Sequence, residues 1–427
     1  MSAVRADAAL PRLLVGCTDR EMASLDRHLE VHGPVASPRA LSQKALLEAA
    51  ERSGLRGRGG GAFPAGVKMK AVADARGKAI VVANGCESEP LSAKDALLLR
   101  ELPHLVLDGA ELAARAVGAD EVILAYENSN PMARHSLEHA LAERRAARVD
   151  SVRFELFTAA ERFLTGQETA LVSQINGGPP APTFIPPRPT DRGVRRRPTL
   201  IQNVETLAHL ALIARHGPEW FRSCGTHAEP GSTLVTLLGA VRNPGVYEIE
   251  RGTPLSAVVA AAGGLPGDTA GLLVGGYFGS WLRPALLDQI ELSNEGLAEH
   301  GASLGCGIVV ALPADSCAVA ETVRVAIYLA TETARQCGPC VHGTAAIART
   351  LHGIAEGKPS RSAFADLQRW NEELPGRGAC HHPNGLVNFV SSALRVFAGS
   401  FDDHARHGPC EHCVSEPVLA VPIAAVR

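Results

Sequence analysis

Two Cys-x-x-Cys pairs, Cys337-Gly338-Pro339-Cys340 and Cys410-Glu411-His412-Cys413, are the sharpest chemical signals in the chain. Thiols at this spacing hold metal ions or iron–sulfur clusters, or carry redox chemistry, wherever disulfides do not persist. Cys380 lies between the two pairs, while Cys17, Cys86, Cys224, Cys306 and Cys317 are scattered. A second concentration of chemistry is the loop Gly57-Arg58-Gly59-Gly60-Gly61-Ala62-Phe63-Pro64, followed by Lys68. Glycine lets backbone N–H groups approach a flat ring or a phosphate, and Arg58 and Lys68 supply positive charge for the latter. The loop is not a nucleotide-binding Walker loop, because Gly-Lys-Ser/Thr is missing. Nor is it a dinucleotide fingerprint, because a helix rather than a strand precedes it.

The elements around these residues follow from periodicity. Residues 41–52 have helical apolar spacing and run into the glycine loop. Strands are expected at 79–83, 121–125 and 152–157, with helices at 102–117 and 136–148 between them. That alternation predicts a parallel α/β sheet, with ligands at the carboxyl ends of strands, where residues 84–90 fall. The Pro- and Gly-rich stretch 177–198 cannot be regular structure, and 203–216 resumes as helix. A small β-rich unit spans about 231–265. From 318 to about 399 the pattern is helical, as in a small bundle. The tail after Phe401 shows little periodicity.

With 427 residues the chain must divide into several domains. Its net charge of −3 gives no general pull toward nucleic acid or membrane, so no nucleic-acid partner and no direct membrane span are expected. The dense basic run Arg195-Arg196-Arg197 reads as a solvated loop, with phosphate or partner docking as the alternative. No apolar run is long enough to span a bilayer, and residues 1–11 lack a signal-peptide core. The expected location is cytoplasmic, with a peripheral place on a membrane complex left open.

Four blocks then carry a family resemblance. GLRGRGGGAFPAGVK at 54–68 resembles the GLRGRGGAGFPTGLK signature of the flavin-carrying, NADH-oxidising subunit of respiratory complex I and its hydrogenase and formate dehydrogenase relatives. NGCESEP at 84–90, GQETAL at 166–171 and PTLIQNVETL at 198–207 resemble that family's N-A-D-E-x-E-P, G-E-E-T-A-L and P-T-x-x-N-N-V-E-T-L, in the same order. The resemblance implies a Rossmann-like α/β FMN domain at 41–228 after an N-terminal extension, 1–40. A β-grasp (SLBB-like) domain at 229–317, a helical iron–sulfur domain at 318–400 and a Cys-containing tail, 401–427, would follow. It implies FMN held by Gly57, Arg58, Gly59, Gly60, Lys68, Asn84, Glu87, Gly166, Glu168, Asn203 and Thr206, and NADH met by Phe63 and Glu89. It also implies a [4Fe–4S] cluster with Cys337, Cys340 and Cys380 among its ligands.

Departures from the family pattern cluster at two places. On the nicotinamide side, Cys86, Gln167 and Gln202 replace an Asp, a Glu and an Asn. Ile185 stands for a Lys, Arg188 for a stacking aromatic, and Ala71 for a further aromatic. At the cluster, Ala334 replaces the first cysteine. A fourth ligand could then come from Cys410 or Cys413, or from His342, His381 or His382. The iron could also stay open, or the cluster could be lost. The tail pair has a separate reading, as half of a zinc or iron–sulfur site completed by a partner. Two functions follow. One is an FMN-dependent subunit moving electrons between NAD(P)H, or another two-electron donor, and a ferredoxin-like or other electron-transfer partner. The other is a non-catalytic or relay subunit that keeps the fold and FMN but not NADH.

Overall fold

The computed structural model describes residues 4–5, 10, 12–17, 22–35 and 41–422. Part of the expected extension at 1–40 and the last residues of the tail lie outside the described residues. Two compact units are formed, one from within 1–88, 92–235 and 245–253, the other from within 89–91, 236–244 and 254–427.

The first unit is built on strands β1 (Ile80–Gly85), β2 (Glu121–Glu127), β3 (Arg153–Ala159) and β4 (Thr199–Asn203). They are all parallel, in the order β3-β2-β1-β4. Ile80, Val81, Val82 and Ala83 are fully buried, as a central parallel strand covered on both faces requires. The chain steps from β1 to β2 to β3, then crosses back to lay β4 on the far side of β1. A crevice is therefore expected between the carboxyl ends of β1 and β4, where strand order reverses. Sequence periodicity pointed to three of these strands and not to β4. The polar Gln202 and Asn203 at its end obscure the apolar run.

The helices are α1 (Leu25–His32), α2 (Gln43–Ser53), α3 (Ala65–Ala73), α4 (Lys94–Glu101), α5 (Pro103–Val117), α6 (Pro131–Ala147), α7 (Glu168–Ile175) and α8 (Val204–His216). The short α3, α4 and α7 were not foreseen. Helices α5 and α8 cross so closely that a Cβ on Gly109 would lie 1.8 Å from the Leu207 carbonyl oxygen. Asp108 of α5 is buried and accepts from His28 (2.7 Å), Arg144 (2.7 Å) and Arg215.

In the second unit the later part of β5 (Ser232–Gly239) pairs parallel with β9 (Ile308–Pro313). Strand β9 also pairs antiparallel with β7 (Thr269–Val274), which pairs with β8 (Ser280–Leu282). The intervening β6 (Gly245–Glu250) belongs to the first unit, and α9 (Leu255–Ala261) to the second. The helices are α10 (Ala318–Thr331), α11 (Ala345–Ala355), α12 (Ala363–Glu373), α13 (His382–Val396) and α14 (Ala398–His407). Trp281 of β8 packs against Phe389 and Phe397, with ring centroids 6.2 and 5.1 Å apart. In the tail, where the sequence shows little periodicity, α14 runs on to His407 and a 3-10 turn follows at Glu411–Val414. Beyond it, the N–H groups of Val418 and Leu419 donate to the buried Glu321 carboxylate at 3.1 and 2.9 Å. The Tyr277 hydroxyl donates to the Ala420 carbonyl. Among the described residues no helix is long and apolar enough to cross a membrane.

Candidate flavin and thiol sites

Helix α2 ends on Gly54 in the left-handed conformation (φ 70°), which turns the chain into the glycine loop. The loop is closed at its base, with the N–H of Gly57 on the Phe63 carbonyl (2.8 Å) and that of Ala65 on Leu55 (2.8 Å). Among the described residues, no hydrogen bond takes up the N–H groups of Gly59, Gly60 or Gly61. A Cβ added to Gly61 would meet nothing within 4 Å. The loop thus presents a free row of backbone donors, the arrangement that binds anions and ring edges.

Beside it, the β1–β4 register sets Asn84 opposite Asn203 at the carboxyl edge. Asn84 Nδ2 donates to the Gly166 carbonyl (2.9 Å), and its Oδ1 accepts from the Cys86 N–H (3.1 Å). Asn203 caps α8 through the Glu205 N–H (3.0 Å) and donates to Asp95 (2.6 Å). Lys68 Nζ donates to the Ile201 carbonyl (2.7 Å) and pairs with Glu168 at the start of α7. A Cβ on Gly166 would lie 2.9 Å from both the Cys86 carbonyl oxygen and Ser88 Oγ, so the backbone is kept bare there. Gly59 packs against Asn203, its added Cβ 3.3 Å from the Asn203 Cβ. Gly59, Lys68, Asn84, Gly166, Glu168 and Asn203 are therefore joined by contact around one edge of the sheet.

Three expected ligands instead build the site from behind. The Arg58 guanidinium does not face the loop opening. It is buried, donates to the Ser232 carbonyl (2.9 Å), lies 3.9 Å from Glu205, and is pushed down to about 10 by burial. Thr206 Oγ1 accepts the Arg58 N–H at 2.9 Å and so fastens the loop to α8. Glu87 accepts the N–H groups of Asp95 (3.0 Å) and Ala96 (2.8 Å), capping α4.

Sequence reading missed the buried charges beneath. Lys94 Nζ bridges Asp95 (2.8 Å) and Glu205 (2.9 Å). Burial opposes the Lys94 ammonium, but Asp95 and Glu205 outweigh it and hold its pKa above the ordinary lysine value. Burial pushes the Asp95 carboxyl up, with Lys94 opposing. Burial likewise pushes Glu127, at the end of β2, up to about 8. The available signal was charge within apolar helices: Lys94 and Asp95 in α4, Glu205 in α8. Gln202 Nε2 is buried without a hydrogen-bond partner, a donor left for a ligand. Free loop amides, an orphaned amide donor and the bare Gly166 backbone fit a planar flavin with its phosphate.

In the second unit Cys337 and Cys340 meet at the π-helical turn Pro339–Thr344 leading into α11. Burial, then the neighbouring Cys337 thiol, pushes Cys340 up to about 12. Burial also opposes ionisation of Cys337, but the backbones of Ala379 and Cys340 and the Cys340 thiol outweigh it and hold that thiol below its ordinary range. The Cys380 thiol is raised by burial and by the neighbouring Cys337 thiol, with the His382 backbone opposing. The Ala334 backbone hydrogen-bonds the Cys340 sulfur. His382 is committed to the Leu329 carbonyl (2.7 Å), while His342 and His381 are exposed. The fourth-ligand candidates Cys410 and Cys413 stand with Cys317 and His404. Their sulfurs meet each other (3.7 Å), and Cys413 meets Cys317 (3.4 Å) and His404 (3.9 Å). Three thiols thus fit three corners of a cubane.

Residues 50–212 match the Nuo51 FMN-binding domain, 234–274 the SLBB domain, and 320–404 the NADH-ubiquinone oxidoreductase-F iron–sulfur binding region. The chain is 30% identical to the NADH-quinone oxidoreductase F subunit of Mycobacterium tuberculosis H37Rv over 410 residues, 91% of each chain. It belongs to the family of NADH-quinone oxidoreductase F subunits. It is also 28% identical to the NADP-reducing hydrogenase subunit HndC of Solidesulfovibrio fructosivorans, over 94% of this chain and 84% of that one. A solved NAD+-reducing [NiFe]-hydrogenase in the H2-reduced state matches 95% of this chain and 68% of its own, with TM-score 0.83 and 29% identity.

Among the residues that the resemblance sets on the nicotinamide side, Phe63 is 52% exposed on the glycine loop, available for stacking. Glu89 belongs to the second unit, where it is buried and accepts the Tyr277 N–H at 3.0 Å. Burial pushes it up to about 8, so near neutral pH it is largely an uncharged acid rather than an open anion. On the Pro-rich loop Ile185 is exposed, and beside it Phe184 is 73% exposed. That aromatic, passed over in the sequence, is displaced four positions from where Arg188 took the family's ring.

Proposed function

We propose that this chain is an FMN-dependent electron-transfer subunit that moves electrons between NAD(P)H, or another two-electron donor, and an iron–sulfur partner. The observation that carries the reading is the meeting of the open glycine loop with Lys68, Asn84, Gly166 and Asn203 at the strand-order reversal of a parallel sheet. FMN bound there supplies the conversion between two-electron and one-electron transfer. The loop amides and Lys68 hold the phosphate, Asn84, Asn203 and Gln202 hydrogen-bond the polar edges, and Gly166 leaves room for the ring. The buried Lys94–Asp95–Glu205 group fixes the height of that floor. Residues 41–228 form the flavin domain, 229–317 the β-grasp domain, and 318–400 the helical domain. There Cys337, Cys340 and Cys380 hold a [4Fe–4S] cluster at three corners, Ala334 leaving the fourth without a thiolate. Other electron-transfer subunits or a ferredoxin-like protein are the partners, in the cytoplasm or on the rim of a membrane complex.

A visible spectrum of the purified protein before and after NADH tests this. A flavin spectrum bleached by NADH is the expected result. A flavin reduced by dithionite but untouched by NADH would turn the reading to a relay subunit that no longer binds nicotinamide. Absence of flavin would overturn both.

A further inference from the structure

Within the described tail, residues 404–413 pack against the start of α10. Cys317, at the N-terminal cap of α10, His404 in the last turns of α14, and Cys410 and Cys413 around the 3-10 turn place one ligand atom each within 4.8 Å of all the others. The separations are 3.4 Å for Cys317 Sγ to His404 Nε2, 3.4 Å for Cys413 Sγ to Cys317 Sγ, 3.7 Å for Cys410 Sγ to Cys413 Sγ, and 3.9 Å for Cys413 Sγ to His404 Nε2. Zn–S bonds of about 2.3 Å and Zn–N bonds of about 2.0 Å set tetrahedron edges of about 3.8 Å between sulfurs and about 3.5 Å from sulfur to nitrogen. The two sulfur–sulfur edges fall a little short of theirs, and the two sulfur–nitrogen edges lie on either side of theirs. We propose that Cys317, His404, Cys410 and Cys413 form a structural zinc site, separate from the Cys337–Cys340–Cys380 group.

Three further observations point the same way. His404 Nδ1 lies 3.1 Å from the Ala355 carbonyl oxygen, which can only accept, so Nδ1 carries the proton and Nε2 offers its lone pair to the thiols. A ligating histidine is typically oriented by such a bond on its other nitrogen. Cys317 Sγ accepts the N–H of Ala320 at 3.3 Å, which fixes the sulfur at the start of α10. Cys317 and His404 are buried while Cys410 is exposed, so an ion has a route in and a dry inner wall once there.

Other uses of these atoms fit less well. A disulfide between Cys410 and Cys413 would leave Cys317 and the aimed imidazole unused. A cubane binds each ligand to a different iron around an eight-atom body, so its ligand atoms stand well apart rather than nearly touching. A single tetrahedral ion with three thiolates and one imidazole satisfies all four, and zinc is the ion for closed Cys3His sites.

The test uses the full chain, purified without chelator, with zinc and iron quantified together. About one zinc per chain is expected, retained in Cys380→Ser and lost in Cys413→Ser, whose iron content stays at the unsubstituted level. Because Cys413→Ser could misfold, zinc K-edge X-ray absorption on the unsubstituted protein stands as an independent readout. It should give three sulfurs at about 2.3 Å and one nitrogen at about 2.0 Å. No zinc, zinc bound by oxygen and nitrogen alone, zinc unchanged in Cys413→Ser, or iron at these four ligands would each overturn the proposal.

Discussion

The flavin edge of the first unit and the thiol groups of the second are both made of polar side chains gathered from distant parts of the chain, yet they are held differently. At the flavin edge nearly every side chain is already bonded to protein: Lys68 to Glu168 and Ile201, Asn84 to Gly166, Asn203 to Asp95, Glu87 to the start of α4. Among the thiols, contacts run mainly from sulfur to sulfur, as between Cys410, Cys413 and Cys317. Sulfur is a weak donor and acceptor, so such contacts position little by themselves. The first site is shaped before its ligand arrives. The second takes its rigidity from what it binds.

The largest expected effect tests that contrast directly. Stripping bound metal with a strong chelator should lower the unfolding temperature of the helical part far more than removal of flavin lowers that of the sheet, followed by circular dichroism and differential scanning. Structural metals contribute on the order of 10 kcal/mol to small domains, against about 2.7 kcal/mol for a ligand at a hundred times its Kd. A larger shift on flavin removal would break the contrast. Next comes Asp108→Ala, which leaves Arg215 buried without its carboxylate and Arg144 with Asp150 alone. A loss of about 3–5 kcal/mol is expected in denaturant unfolding of the first unit, with metal content unchanged. Lys68→Met should weaken FMN binding about 10- to 150-fold in a fluorescence titration, the equivalent of about 1.5–3 kcal/mol for a charge-assisted hydrogen bond. The unfolding temperature without flavin should barely move, since the rest of that edge holds itself.

The last effect is read against pH. Glu89 has its folded value raised to about 8, against about 4.3 in an unfolded chain. Between those values the folded state holds a proton that the unfolded state has released. Stability attributable to Glu89 is therefore fully present below about pH 4.3 and falls as pH rises toward 8, by at most about 1.4 kcal/mol per pH unit. Glu89→Gln should flatten that slope in unfolding curves collected from pH 5 to 8. An unaltered slope would show that Glu89 is ionised in the folded protein.

The fold was legible where sequence and burial coincide. The run Ile80-Val81-Val82-Ala83 reads as a buried strand because it is one, and the motif blocks stand in the order in which the chain builds the sheet edge. Strand β4 was hidden because its last two residues are the polar Gln202 and Asn203, whose backbone is satisfied by pairing to β1. Arg58 was read as a phosphate contact because sequence shows its charge but not Glu205 and Ser232, which turn it inward. The tail misled for a related reason. Asp402, Asp403, His404 and Arg406 make a polar helix with little apolar periodicity, and only the fold brings His404 to Cys317.

The anchoring of the last described residues bears on how the molecule can be handled. Glu321 is buried and takes its hydrogen bonds from the N–H groups of Val418 and Leu419 as well as from Arg324 at 2.7 Å. A truncation placed near residue 415, which the sparse secondary structure there invites, would leave that carboxylate short of two donors and the Tyr277 hydroxyl short of its acceptor. Fusion partners, affinity handles and immobilisation chemistry therefore belong after Ala420, so that these three contacts are kept.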